Sequence, residues 1–372
     1  MVEVDVEAGL VRAGGNEDRV TFEPATPSDE GRGVLVSHAR FDADWPWVAE
    51  AFRAQWPGST PLECLRQDLD DTRAVHEVVK DPGSVRRLVV LGSPVTAESV
   101  AAFTGLAEAA LLGSYGELPE AELLRARGVG VHRHTSEGFW GQSVAEFGLA
   151  LTLCGLRRIP QLHHEILTDL APWDYRPPGG IPRPGGRGGQ YGDDPRFTSG
   201  TVAGARVRIV GAGNIASRYA SFVSTMGADV AAWDPFAPEP SFHRAGARRE
   251  LHLERLVRDA GIFAPMVPLI PSTEGLVTAA HIDALPKGCL VVLVTRARIC
   301  DMEALRRRVL ADELALAADV FDIEPLPLTD PLLGRPNVVH TPHNAGRTRQ
   351  ANEAFARAIL DQFQPFEVQV GS

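Results

Sequence analysis

Three segments in the last third of the chain carry residue types suited to proton exchange beside a carboxylate. They are Thr295-Arg-Ala-Arg-Ile-Cys-Asp301, Asp319-Val-Phe-Asp-Ile-Glu-Pro325 and His340-Thr-Pro-His-Asn-Ala-Gly346. Each follows an expected strand, at the carboxyl edge where open α/β sheets place ligands. An arginine there can hold a carboxylate through a two-pronged, charge-assisted bond. A histidine can exchange the proton of a neighbouring hydroxyl, and a glutamate can orient and charge that histidine. An Arg, a Glu and a His brought together would suit oxidation of an alcohol next to a carboxylate.

A second constellation lies upstream. The apolar run Ala205–Val210 leads into Gly211-Ala-Gly-Asn-Ile-Ala216, a GxGxxA turn opening a helix expected to run through Met226. Gly211 makes the tight turn, Gly213 lets backbone approach a pyrophosphate, and the small sixth residue lets helix pack on strand. The helix start, with Asn214 and Ile215, would face the phosphates with its orphan N–H groups. The next strand ends in Asp234, 23 residues after Gly211. A carboxylate there can bind both ribose hydroxyls and repel the extra phosphate of NADP, so the expected cofactor is NAD. The plainer role for Asp234 is capping the turn before Pro235.

The elements that must position these residues alternate between strand and helix. Strands are expected at Gly33–Ser37, Arg87–Leu91, Ala109–Leu112 and Gly128–His132, with a helix at 120–127. Ser143–Arg158 reads as a long apolar helix opened by a Ser143/Glu146 capping box. Further strands are expected at Ala205–Val210, Asp229–Trp233, Ile262–Ala264, Leu290–Val294, Leu316–Val320 and Val338–Thr341, then a closing helix from Gln350 to about Phe363. Residues 1–30 read as a loosely ordered arm, and the Pro- and Gly-crowded 171–200 as an extended excursion. The expected fold is α/β, with two doubly wound, Rossmann-like or flavodoxin-like domains. A substrate domain, 1–160 plus 346–372, would hold an inserted NAD-binding domain, 161–345.

At this point the sequence resembles the D-isomer-specific 2-hydroxyacid dehydrogenase family over roughly residues 85–365. The resemblance rests on Val144-Ala-Glu146, the glycine turn, Pro268-Leu-Ile-Pro-Ser-Thr273, the Asp-Val-x-x-x-Glu-Pro stretch and Thr-Pro-His. It implies an enzyme passing hydride between NAD(H) and a small 2-oxo or 2-hydroxy acid, with Arg296, Glu324 and His343 as the catalytic set. Arg296 would bind the substrate carboxylate, together with the backbone of Ser114, Tyr115 and Gly116 in the Gly113–Gly116 loop. Val267, Pro268, Thr273, Thr295, Asp319 and His343 would join Gly211, Gly213, Asn214, Ile215 and Asp234 around the cofactor, Asp319 at the nicotinamide carboxamide. It also implies a homodimer. Arg296 is chosen over Arg298 by its spacing of five residues from Asp301. The chain departs from the family's usual Asn-Thr-Ala-Arg-Gly in reading Leu293-Val-Thr-Arg-Ala297, and Gly261 stands where an acidic residue is common.

Composition narrows the alternatives. A net charge of −11, without a dense Lys/Arg block, argues against nucleic acid and anionic membranes as partners. No apolar stretch reaches the roughly 18 residues of a membrane span. Four scattered cysteines, Cys64, Cys154, Cys289 and Cys300, fit buried thiols in a reducing cytoplasm. His132 and His134 share a strand face but lack a third ligand, so no metal is expected. His163 and His164 read as helix surface, and Trp140, Trp173 and Tyr191 as candidates for interface or cleft walls whose plainer role is packing. The rival from another class is an NAD(H)-sensing corepressor of the same fold, which would need a vestigial catalytic trio. Formate dehydrogenase, with Gln as the His partner, is disfavoured by Glu324.

Overall fold

The computed structural model describes residues 4–5, 10–11, 31–57, 62–114, 116–134, 138–169 and 200–364. Within the expected arm, Val4–Asp5 pairs antiparallel with Leu10–Val11. The rest of 1–30, Tyr115, and the excursion through residue 199 with Trp173 and Tyr191 lie outside the described residues.

The first sheet contains β1 (Arg32–His38), β2 (Glu63–Gln67), β3 (Val85–Leu91), β4 (Glu108–Gly113), β5 (Gly116–Glu117) and β6 (Gly130–Val131). Its order is β2-β1-β3-β4, all parallel. The outer edge of β4 takes β6 in parallel at one end and β5 in an antiparallel turn at the other. The central strands are apolar along their length because both faces are covered. Val34, Val36 and Val90 pack on one side with Val100 and Phe103. Leu35, Val89 and Leu91 pack on the other against α1 (Ala39–Asp44) and α2 (Val48–Gln55).

The second sheet is seven-stranded and wholly parallel: β7 (Arg206–Val210), β8 (Asp229–Trp233), β9 (Arg248–Arg249), β10 (Ile262–Pro265), β11 (Leu290–Leu293), β12 (Ala315–Ala318) and β13 (Val338–His340). Its order, β9-β8-β7-β10-β11-β12-β13, reverses direction between β7 and β10. That switch point opens a crevice at the strands' carboxyl ends, where ligands of such sheets bind.

Two helices connect the sheets. The first, α3, runs over Gly138–Arg157, so the expected start at a Ser143 cap is wrong. Ser143 lies inside the helix and donates to the Trp140 carbonyl, while Glu146 takes Gln142 one turn back. Although α3 falls in the expected substrate-domain span, Val144, Ala145, Leu151 and Leu156 are buried in the core of the second sheet. Gly141, Gly148 and Gly155 explain the fit. A Cβ at Gly155 would stand 2.8 Å from Leu290, and one at Gly141 2.3 Å from the Asn214 amide. A glycine every seventh residue keeps one bare stripe on the helix. Thr152 locks the contact by bonding the buried Tyr219 hydroxyl at 2.8 Å, on α4 (Asn214–Thr225). The second connector, α5 (Arg349–Leu360), buries Phe355, Ala356 and Ile359 against α1 and α2.

Candidate active site

The strands of the second sheet end in a cleft of about 670 Å³. Its walls include Gly213, Asn214, Ile215, Val267, Pro268, Thr295, Arg296, Asp319, Glu324 and His343, ten of the residues singled out by sequence. Asp44 and Trp45 close it from the first sheet's side.

At its centre the His343 ring bonds Glu324 through Nδ1 at 2.7 Å. With Nδ1 facing a carboxylate, that nitrogen carries the hydrogen and Nε2 is left for exchange. The second carboxylate oxygen of Glu324 accepts from the Phe321 N–H at 2.7 Å, which fixes the acid. His343 itself has φ 52°, a left-handed conformation that a bulky residue holds only under constraint. Asp319 supplies the constraint. It is fully buried and accepts from the Thr341 hydroxyl at 2.6 Å, the Asn344 N–H at 3.0 Å and the Ala345 N–H at 2.8 Å. Three of the roughly four acceptor sites of Asp319 go to the loop carrying His343, which leaves one on Oδ2 for the nicotinamide carboxamide that the sequence assigns to it.

Arg296 and Arg298 part company here. Arg296 is half-buried in the cleft wall and donates to its neighbour's carbonyl at 2.8 Å. Arg298 is exposed and pairs outside with Glu274 at 3.2 Å.

The glycine turn fits a nicotinamide dinucleotide. Gly211 has φ 108°, and a Cβ there would meet the Met266 carbonyl at 3.0 Å; Gly213 has open space around it. The N-terminus of α4 has no side-chain cap, which leaves a helix start available to an anion. Asp234 reaches this turn, accepting from the Ala212 N–H at 2.8 Å. Its other oxygen takes the Phe236 and Ala237 N–H groups, so the plainer turn-capping role is real as well. Of the carboxylate's roughly four acceptor sites one remains, on Oδ2 beside the glycine turn.

The Thr273 hydroxyl donates to the Pro268 carbonyl and accepts from the Ile270 N–H, closing a turn in the cleft wall. Of the Gly113–Gly116 loop, Gly116 borders a smaller recess beside Arg133 and His134, and the Ser114 carbonyl is taken by the Trp45 indole. His132 bonds Glu108, and His134 the Phe355 carbonyl; no metal cluster occurs among the described residues. Trp140, a candidate for either packing or a cleft wall, lines the cleft, as do Trp45 and Arg347, which the sequence did not single out. The signal missed for Arg347 was proximity, since it lies four residues past His343.

Residues 185–345 match the model of the D-isomer specific 2-hydroxyacid dehydrogenase NAD binding domain. The chain is 28% identical over 227 residues to D-3-phosphoglycerate dehydrogenase of Haemophilus influenzae, covering 60% of this chain and 50% of that one. It is 30% identical over 186 residues to (S)-sulfolactate dehydrogenase of Chromohalobacter salexigens, covering 47% and 60%. A solved D-isomer specific 2-hydroxyacid dehydrogenase of Xanthobacter autotrophicus, in complex with NADPH, aligns at TM-score 0.58 and 26% identity over 88% of this chain and 95% of that one. Over its nucleotide-binding half the chain is thus similar to the D-isomer specific 2-hydroxyacid dehydrogenases. Its cofactor is accordingly a nicotinamide dinucleotide. It spans half or less of the length of the phosphoglycerate dehydrogenases it matches first. Among the described residues no helix is long and apolar enough to cross a membrane.

Proposed function

We propose that this chain is an NAD(H)-dependent D-2-hydroxyacid dehydrogenase interconverting a small 2-oxo acid and its 2-hydroxy acid. The observation that carries this reading is the Glu324–His343 bond at 2.7 Å, opening on the same cleft as Arg296 and the glycine turn. A nicotinamide dinucleotide bound there would supply or accept hydride at the substrate's C2. Gly211, Gly213 and the first turn of α4 hold its phosphates, and Asp234 its ribose. Arg296 binds the substrate carboxylate and polarises the adjoining carbonyl. In reduction the His343 imidazolium gives its Nε2 proton to the carbonyl oxygen; in oxidation the neutral ring takes it back. Glu324 accepts from Nδ1–H and stabilises the cation. Asp319 acts through the loop, keeping His343 in its left-handed conformation.

The same reading has three further parts. The domains divide at 1–160 plus 346–372 and 161–345, with α3 packing across the division. The protein is a homodimer, supported by exposed Ile159, Ile166 and Leu167 just beyond α3. It works in a reducing cytoplasm, which suits four cysteines without a disulfide. The test of function is consumption of NADH on addition of 2-oxo acids, with glyoxylate and pyruvate as the smallest probes. Turnover of at least one 2-oxo acid is expected; the absence of turnover with a broad panel would overturn the reading.

A further inference from the structure

One wall of the cleft is not used by the mechanism. It comprises Asp44 and Trp45 at the end of α1, Trp140 on α3, and Arg347. Trp140 borders the loop carrying His343: a Cβ at Gly346 would lie 3.9 Å from the Trp140 Cβ. Trp45 is almost wholly buried and stacks on Trp140, ring centroids 5.5 Å apart and planes 12° from parallel. Its indole N–H is tied to the Ser114 carbonyl at 3.0 Å. Phe139 meets both indoles edge-on. Trp140 is therefore a fixed platform, and Ser114 bears on the cleft by anchoring the ring behind it.

The charges on this wall cancel. The Arg347 guanidinium donates to the Ala43 carbonyl and stands 3.9 Å from the Asp44 carboxylate, which itself lines the cleft. A 2-oxo carbon is trigonal. With its carboxylate at Arg296 and its carbonyl oxygen at His343, its third substituent is left for the wall that neither supplies. An anionic substituent would find the Arg347 charge already facing Asp44 and would otherwise meet the negative faces of indoles. A flat apolar substituent would bury its area against them.

We propose that this wall is a specificity site, selecting 2-oxo acids whose side chain is flat, apolar and uncharged, with Trp140 as the platform. The proposal rests on the dehydrogenase reading above. It is tested with NADH and three probes: glyoxylate, phenylpyruvate and the doubly charged 3-phosphohydroxypyruvate. In the wild type, kcat/KM for phenylpyruvate should exceed that for 3-phosphohydroxypyruvate by about tenfold or more. Trp140→Ala should lower the phenylpyruvate-to-glyoxylate ratio by about tenfold, while Trp140→Phe, which keeps a flat ring, should preserve most of it. Asp44→Asn should raise the relative rate with 3-phosphohydroxypyruvate, because it removes the opposing charge. Preference for the phosphorylated acid, or a Trp140→Ala ratio equal to that of wild type, overturns the specificity site and leaves the dehydrogenase intact. Refusal of all three acids, glyoxylate included, overturns both.

Discussion

Asp319→Asn is the substitution whose effect can be worked furthest from the structure. The carboxylate holds three donors, two on Oδ1 (the Thr341 hydroxyl and the Asn344 N–H) and one on Oδ2 (the Ala345 N–H). Asparagine offers one oxygen and an amino group. If the oxygen serves Thr341 and Asn344, the amino group faces the Ala345 N–H, donor against donor. A hydrogen bond to a charged group contributes about 1.5–3 kcal/mol, and a buried donor left unmet costs about 1–3 kcal/mol. Relief of the buried charge offsets part of that loss. A net destabilisation of about 3 kcal/mol follows, or a fall in Tm of roughly 6–12 °C for a domain of this size. The loop also loses what holds His343 at φ 52°, a conformation that itself costs on the order of 1–3 kcal/mol. Relaxation would carry the imidazole off Glu324, and misplacement by about 1 Å can cost about a hundredfold in rate. Calorimetry, steady-state kcat and NADH titration together measure this. The expected pattern is a lower Tm, kcat down about a hundredfold and NADH affinity nearly unchanged. A Tm within about 2 °C of wild type with kcat preserved would refute the anchoring role of Asp319.

Three further outcomes follow from the same geometry. Arg296→Lys keeps a charge but loses the fork, and should cost about 2–5 kcal/mol in kcat/KM. Arg298→Lys alters only an exposed pair with Glu274 worth about 0–1 kcal/mol, so kinetics that ranked the two variants the other way would exchange their roles. Asp234 should favour NADH over NADPH by at least roughly tenfold, about 1.4 kcal/mol, and Asp234→Ser should narrow that margin; equal efficiency of the two cofactors in the wild type would remove Asp234 as the selector. Burial holds the His134 imidazole below its ordinary value of 6.5, although its bond to the Phe355 carbonyl pulls the other way. The unfolded chain then binds a proton that the folded chain resists, so stability should fall as pH drops through 6.5 toward the lower folded value. Denaturant midpoints at neutral and mildly acidic pH should show a loss that His134→Phe diminishes, and an identical loss in the variant would exclude His134 as its source.

The sequence disclosed those parts of the molecule in which one short segment carries its own physical reason. The parallel strands read as apolar runs because both faces are covered, and β8 begins and ends where the pattern placed it. The glycine turn was legible because no other residue makes that bend so close to the Met266 carbonyl. Features built from distant segments were not. Arg208 lies in a strand that reads as apolar with polar interruptions, yet it is buried and bonded to Asp229 and Asp259 from two other segments. The start of α3 was misplaced because Ser143 and Glu146 imitate a capping box, while its Gly141–Gly148–Gly155 stripe has meaning only against Asn214 and Leu290. Arg296 and Arg298 have the same side chain and nearly the same position, and only the backbone path separates cleft from surface. The Trp45–Trp140 stack joins residues far apart in the chain, so no local pattern announced it.

The central claim is that His343, held by Glu324, moves the proton in a dehydrogenase reaction. The most direct test compares the wild type with His343→Ala on one 2-oxo acid that the wild type reduces, with NADH binding measured in parallel by fluorescence. The turn at Gly211–Gly213 and the start of α4 are untouched by the substitution, so NADH should bind both proteins with similar affinity. Reduction and the reverse oxidation should both fall by about 10²–10⁴-fold in the variant, the usual contribution of a positioned acid–base group. Undiminished turnover by His343→Ala, with NADH bound as tightly as in the wild type, would contradict the account and place the proton-transfer group elsewhere in the cleft.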